Sequence, residues 1–418
     1  MTKRASTLHR KVVIKAAEEA EASTATSDIP VLRKPSTTPE RKRKPLLAPS
    51  KFQPRSSRLD LETLDKEKSE FRGWVNFVGL SVCAYLIFTS VHNWSFLGQF
   101  FTLRLYRSVI LDTPTLLLAD LGMVTLCFGA FILQKLIVAR AIAPRMELIL
   151  QHLFQSCLFV YCLSFIWLRD FPWLQSASFL MHTIVMFMKV HSYLSTNREL
   201  AYQVALRASK ISGSGDDWGT SDEEMYKKNK VLYPHNVTLR NFVYYLLVPT
   251  LVYETEYPQT DRIRPMYILE KVIAFLGTFW LLYISVEHYI MPVLDNMKTM
   301  SPFETLIALL LPFMLCYIAM FYMIFELICN IVAELTYFAD RQFYQDWWNS
   351  VTFDEYARKW NKPVHEFLLR HVYLESIHKY KVGKTWATFL TFFFSSVLHE
   401  LVMVVVVKKV LFYLFFLQ

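Results

Sequence analysis

The chain has 418 residues, of which 53% are hydrophobic, 16% aromatic and only 19% charged. Apolar runs of about 20 residues recur along it, which excludes a soluble globular enzyme and predicts an all-α, polytopic transmembrane helical bundle. The net charge of +9 is uneven: residues 1–72 hold 17 Lys or Arg against 10 Asp or Glu, a surplus of 7.

Residues 1–70 are rich in Ser, Thr, Pro, Lys and Glu and cannot bury a core, so they read as a disordered, basic, cytosolic tail. The densest basic run is Arg41-Lys42-Arg43-Lys44, a solvated stretch able to touch anionic lipid. No aromatic-interleaved motif accompanies this charge, so nucleic acid is not an expected partner. Residues 71–418 form the membrane-embedded domain. The first span covers 74–91, with Trp94 as an interface anchor and an interfacial loop over 96–112. Further spans follow at 114–138, 148–167 and 174–188. A soluble loop is predicted for 195–230, with its flexible tip at 212–217. The run 242–252 is too short to span and holds Pro249, so it reads as interfacial or re-entrant. Asn236-Val237-Thr238 matches a glycosylation sequon, but on a cytosolic loop it predicts no glycan.

The fifth span covers 266–290, with Lys271 and Glu287 expected to snorkel at its ends. The sixth covers 303–332, and a polar segment rich in Trp, Tyr and His runs from 333 to 385. The seventh covers 386–407. The apolar run 410–417 is too short to cross, so the membrane domain reads as incomplete at its C-terminus, with further helices expected. All six cysteines lie in apolar runs without a CxxC, so neither a disulfide frame nor a metal site is expected.

Chemistry concentrates at two places. The seventh span carries His399 and Glu400, and burying ionisable groups in lipid is costly enough that such a pair marks a functional site by default. Ser395 and Ser396 lie four and three residues earlier, on the imidazole's face of the helix. The competing reading is a core histidine bonded to a neighbouring helix. Position 403 is Met, so HExxH is absent, and no GxSxG elbow exists. His365, His371 and His378 are spaced by six and seven, which is not a ligand pattern. The second place is Phe343-Tyr344-Gln345-Asp346-Trp347-Trp348-Asn349, a polar and aromatic cluster whose plainer reading is an amphipathic helix at the interface.

This heptapeptide resembles the FYxDWWN motif of membrane-bound O-acyltransferases, in the branch holding sterol and diacylglycerol O-acyltransferases. The resemblance continues through Pro363-Val364-His365-Glu366-Phe367-Leu368-Leu369-Arg370-His371-Val372-Tyr373 and at Ser395-Ser396-Val397-Leu398-His399-Glu400. Upstream, 249–253, Tyr257-Pro258 and 330–334 are also similar, and Ala339 stands where relatives often have glycine. Met188-Lys189-Val190-His191-Ser192-Tyr193 and Phe367-Leu368-Leu369-Arg370-His371 look most like the fungal sterol enzymes. The resemblance implies transfer of a fatty acyl group from acyl-CoA to a sterol hydroxyl in the endoplasmic-reticulum membrane, by a homo-oligomer. Acyl-CoA is then a co-substrate, and no cofactor is expected. By the same resemblance His399 is the catalytic base. Asn349 is the second catalytic residue, either as oxyanion donor or as the residue that orients the imidazole. Phe343, Tyr344, Asp346, Trp347 and Trp348 shape the site. Ser395, Lys384 and Arg370 are candidates for the acyl-CoA end, with Arg341, Lys379 and Lys381 as further cations for its phosphates. A diacylglycerol acyltransferase is the nearest alternative, and a transporter using His399 and Glu400 is the alternative from another class.

Overall fold

The computed structural model describes residues 52–60, 72–98, 112–213 and 233–417. Most of the predicted tail, including its basic run, most of the 96–112 loop and residues 214–230 lie outside the described residues.

The described residues form helices and loops without a strand. Proline and short polar caps set several helix starts. The first helices are α1 (Arg72–Leu97), α2 (Thr113–Val138), α3 (Pro144–Arg169) and α4 (Trp173–Gly213). Prolines occupy the first turns of α2 and α3, where a missing N–H costs nothing. A short α5 (Leu239–Leu247) begins at Thr238, whose side chain accepts the Asn241 N–H. Then come α6 (Pro265–Ser285) and α7 (Pro302–Phe321). A Ser301–Glu304 capping box opens α7. Both continue through a π-helical turn, Val286–Ile290 after α6 and Tyr322–Ile328 after α7. The polar segment folds as α8 (Phe353–Trp360), α9 (Lys362–Phe367), a π-helical stretch Leu368–Leu374 and a single turn Glu375–His378. The next long helix, α10 (Lys384–Val407), carries His399.

Six helical stretches are long and apolar enough to cross a membrane: Asn76–Ser95, Thr113–Val138, Met146–Arg169, Pro265–Asn296, Pro302–Leu335 and Lys384–Val407. The fourth expected span belongs instead to α4, which runs 41 residues and continues through the predicted loop as far as Gly213. Its low apolarity has a cause. Packed against α2, α3 and α10, it faces protein rather than lipid, and it buries Thr183, Lys189, Ser192 and Asn197. Connectivity shows that α4 nevertheless crosses. Lys408, after α10, pairs with Asp170, after α3, and Arg264, before α6, pairs with Glu334 on the segment Cys329–Leu335 that continues α7 beyond its π-helical turn. The second pair shows that α6 and α7 go across and return, so with α10 crossing once Asp170 and Lys408 share a side only if α4 also crosses, and at 1.5 Å per residue it is long enough.

Burial corrects one expectation and bears on two more. Lys271 does not snorkel. It is 2% exposed, with Glu326 Oε1 at 2.9 Å and Asp60 Oδ1 at 3.7 Å. The 242–252 run, expected to be interfacial or re-entrant, packs into the core, with Phe242, Tyr245 and the adjoining Tyr253 buried around Tyr193 of α4. Asn236 is buried and donates its amide to Asn197 Oδ1 and Tyr253 Oη, so the nitrogen of the sequon is engaged inside the protein.

Candidate functional site

Residues 52–60 lie within the stretch read as tail, yet they form a strap against the aromatic motif. Arg55 donates to both carboxylate oxygens of Asp340, and its backbone bridges to Asp340 as in a parallel strand. The Tyr344 hydroxyl accepts the Leu59 N–H at 3.2 Å and donates to Glu326 Oε2 at 2.9 Å. Ser57 donates to the same carboxylate. Burial and the nearby Glu326 carboxylate hold the Tyr344 phenol well above its usual pKa, so it stays a donor. Sequence composition gave no sign of this strap.

Within the motif, Phe343 and Tyr344 are buried and anchor it to the core. Trp347 packs edge-on against Phe321, Trp360 and Tyr356, while Trp348 is exposed. Asp346 pairs with Lys359 at 3.3 Å, and that ammonium holds the carboxyl below its usual pKa range. Asn349 ends a single 3-10 turn and is exposed, with its backbone N–H given to the Asp346 carbonyl. Beside it, the Trp347 indole N–H and the Ser350 hydroxyl are buried and unpartnered among the described residues. This end of the motif therefore has hydrogen-bonding capacity left for a ligand.

His399 is exposed on α10, and its Nδ1 lies 2.8 Å from the Ser395 carbonyl oxygen. A carbonyl only accepts, so Nδ1 carries the hydrogen and Nε2 carries the lone pair. The ring is thus presented as a base through Nε2. Ser395 Oγ lies 3.5 Å from the same Nδ1 and cannot donate to it, so the two do not form a serine-nucleophile dyad. Glu400 is buried and accepts the Phe412 N–H at 2.6 Å and the Phe415 N–H at 3.4 Å. It holds the turn after α10, a structural task.

No hydrogen bond joins Asn349 to His399 among the described residues. They are linked through α8, α9 and the π-helical stretch, which packs on α10. The remaining candidates divide. Lys384 is exposed at the start of α10. Arg370 is taken up by Glu254 at 2.6 Å and, with Phe343, Arg55 and Lys362, lines a cavity of about 160 Å³. Arg341 is buried and paired with Glu334, which removes it from the set of cations open to phosphate.

A family model described as MBOAT, membrane-bound O-acyltransferase family, matches residues 219–418. The chain is 34% identical over 280 residues to sterol O-acyltransferase 2 of Saccharomyces cerevisiae, covering 59% of this chain and 44% of that protein. It is 34% identical over 383 residues to the probable sterol O-acyltransferase 2 of Schizosaccharomyces pombe, covering 83% and 79%. Against diacylglycerol O-acyltransferase 1A of Glycine max the identity is 31% over 299 residues, covering 69% and 57%. The chain thus spans less than half of the first of these relatives and about four fifths of the second.

Proposed function

The chain belongs to the membrane-bound O-acyltransferase family, and from that premise we propose that it transfers a fatty acyl group from acyl-CoA to the hydroxyl of a sterol. The reaction would run in the endoplasmic-reticulum membrane, with the N-terminal tail cytosolic and the protein a dimer or tetramer. The observation that carries the chemistry is the fixed tautomer of His399, with Nδ1–H given to the Ser395 carbonyl. Its Nε2 takes the proton from the sterol hydroxyl as the oxygen attacks the thioester carbonyl. The C–S bond then breaks, and the proton passes to the departing CoA thiolate. A thioester is already activated, so no covalent protein nucleophile is needed. Asn349, with the Trp347 N–H beside it, is the proposed donor to the developing oxyanion. The names of the two yeast relatives favour sterol as the acceptor, and that of the soybean relative makes diacylglycerol the alternative to test.

The test uses microsomes containing the full chain, labelled oleoyl-CoA, and sterol and diacylglycerol supplied together. Steryl ester is expected from wild type and none from His399→Ala, with expression and acyl-CoA binding retained by the variant. Triacylglycerol as the histidine-dependent product would replace the acceptor and leave the mechanism standing. Loss of folded protein in parallel with activity would return His399 to a structural role.

A further inference from the structure

Away from His399, three side chains from two distant parts of the sequence converge on one point. One ligand-type atom from each of His191, His371 and Glu375 lies within 4.8 Å of the other two. We propose that these residues bind one divalent transition-metal cation, zinc in the first instance. The spacing of histidines along residues 365–378 hides this, because the third donor comes from α4.

Each donor is held in place by a second side chain. His191 Nδ1 meets Gln155 Oε1 at 3.3 Å. The amide oxygen accepts, so Nδ1 bears the hydrogen and Nε2 keeps its lone pair. No hydrogen bond engages that Nε2 among the described residues. His371 Nε2 is 2.8 Å from Ser192 Oγ, which also accepts the Tyr253 N–H at 2.8 Å. His371 Nδ1 lies 3.1 Å from Glu375 Oε1, about the edge of a tetrahedron with zinc–ligand bonds near 2 Å. Ser195 donates to that same carboxylate oxygen. Gln155, Ser192 and Ser195 are therefore the outer groups that fix ring and carboxylate orientation around a metal. Binding moves the His371 proton from Nδ1 to Nε2, where Ser192 Oγ accepts it.

The donor set selects the ion. Two imidazoles and one carboxylate suit zinc or its first-row neighbours, whereas calcium and magnesium take oxygen donors. Three protein ligands leave a fourth position for water. Bound there, the cation would fasten α4 to the π-helical stretch, and both pack against α10. The proposal does not depend on the acyl-transfer reading, and its test does not use activity.

Untagged full-length protein in detergent is stripped with a chelator and titrated with Zn²⁺ and Co²⁺. About one metal per chain is expected, with cobalt showing the intense visible bands of a four-coordinate site. His191→Ala and Glu375→Gln should abolish tight binding, and Gln155→Leu should weaken it roughly 10–100-fold. His378→Ala, outside the cluster, should bind as wild type. Binding that is undiminished in His191→Ala overturns the site. If that variant fails to fold, the wild-type titration decides: absent or six-coordinate cobalt absorption would leave the three residues as a hydrogen-bonded network and nothing more.

Discussion

His399 and Asn349 are the two residues on which the proposed chemistry rests, and they are displayed differently. The histidine has its tautomer set from within its own helix, by a carbonyl one turn back. That interaction needs only helical spacing, so any sequence with histidine in a helix can supply it. Asn349 has no such internal tether. It sits on a short turn, exposed, beside an indole N–H and a hydroxyl that lack protein partners. If it donates to the oxyanion, Asn349→Ala lowers kcat roughly 10²–10³-fold with little change in the KM for acyl-CoA. Steady-state kinetics in microsomes read this directly, and wild-type turnover would remove Asn349 from the mechanism. The heptapeptide and the histidine were legible in the sequence because they combine improbable residue types. The pairing of Arg341 with Glu334, and of Arg370 with Glu254, was not, since a cation's partner depends on chain segments far away in sequence.

At the scale of the elements, the motif is held by a buried ionic network rather than by its own turn. Glu326, on the π-helical turn that continues α7, receives Lys271, Ser57 and Tyr344. Its position there lets one carboxylate reach α6, the strap and the motif together. Glu326→Ala removes the nearer of two carboxylates from a lysine that is 2% exposed, leaving Asp60 at 3.7 Å, and it also strips Tyr344 of its acceptor. Breaking a buried pair in this way costs about 3–5 kcal/mol. A thermal melt of the detergent-purified variant is expected to show that loss, and hydrogen exchange should show the Leu59 N–H newly exposed. An unchanged melt would mean that Asp60 or water takes over Lys271. Helix existence and most helix limits were readable from apolar run length. The strap was not, because residues 52–60 have no apolar periodicity and owe their order to Asp340, Glu326 and Lys271.

For the whole molecule, membrane sidedness follows from counting crossings, and the count turns on α4. Six stretches are apolar enough to face lipid. Arg264–Glu334 returns α7 to the side where α6 begins, and Asp170–Lys408 then requires a seventh crossing between α3 and α6. If the basic tail is cytosolic, as proposed, the segment 336–383 carrying the motif would lie on the cytosolic side and the turn between α6 and α7 on the opposite side. Val351 is 90% exposed in that segment. In intact microsomes an impermeant maleimide is expected to label Val351→Cys and to spare Lys298→Cys until the membrane is permeabilised, against the background of the native cysteines. The reverse pattern would invert the topology.

Composition and run length by themselves determined that the chain crosses a membrane as helices. Two short motifs pointed to its family and to the histidine proposed as the base, because each places costly polar groups where apolar ones would be cheaper to bury. The tertiary structure alone decided which charges are spent on one another, that α4 crosses inside a sheath of other helices, and that His191, His371 and Glu375 meet. The physical reason is the same in each case. Hydropathy is a local property of a window, whereas a buried charge or a polar helix is tolerated only through partners that folding brings from elsewhere.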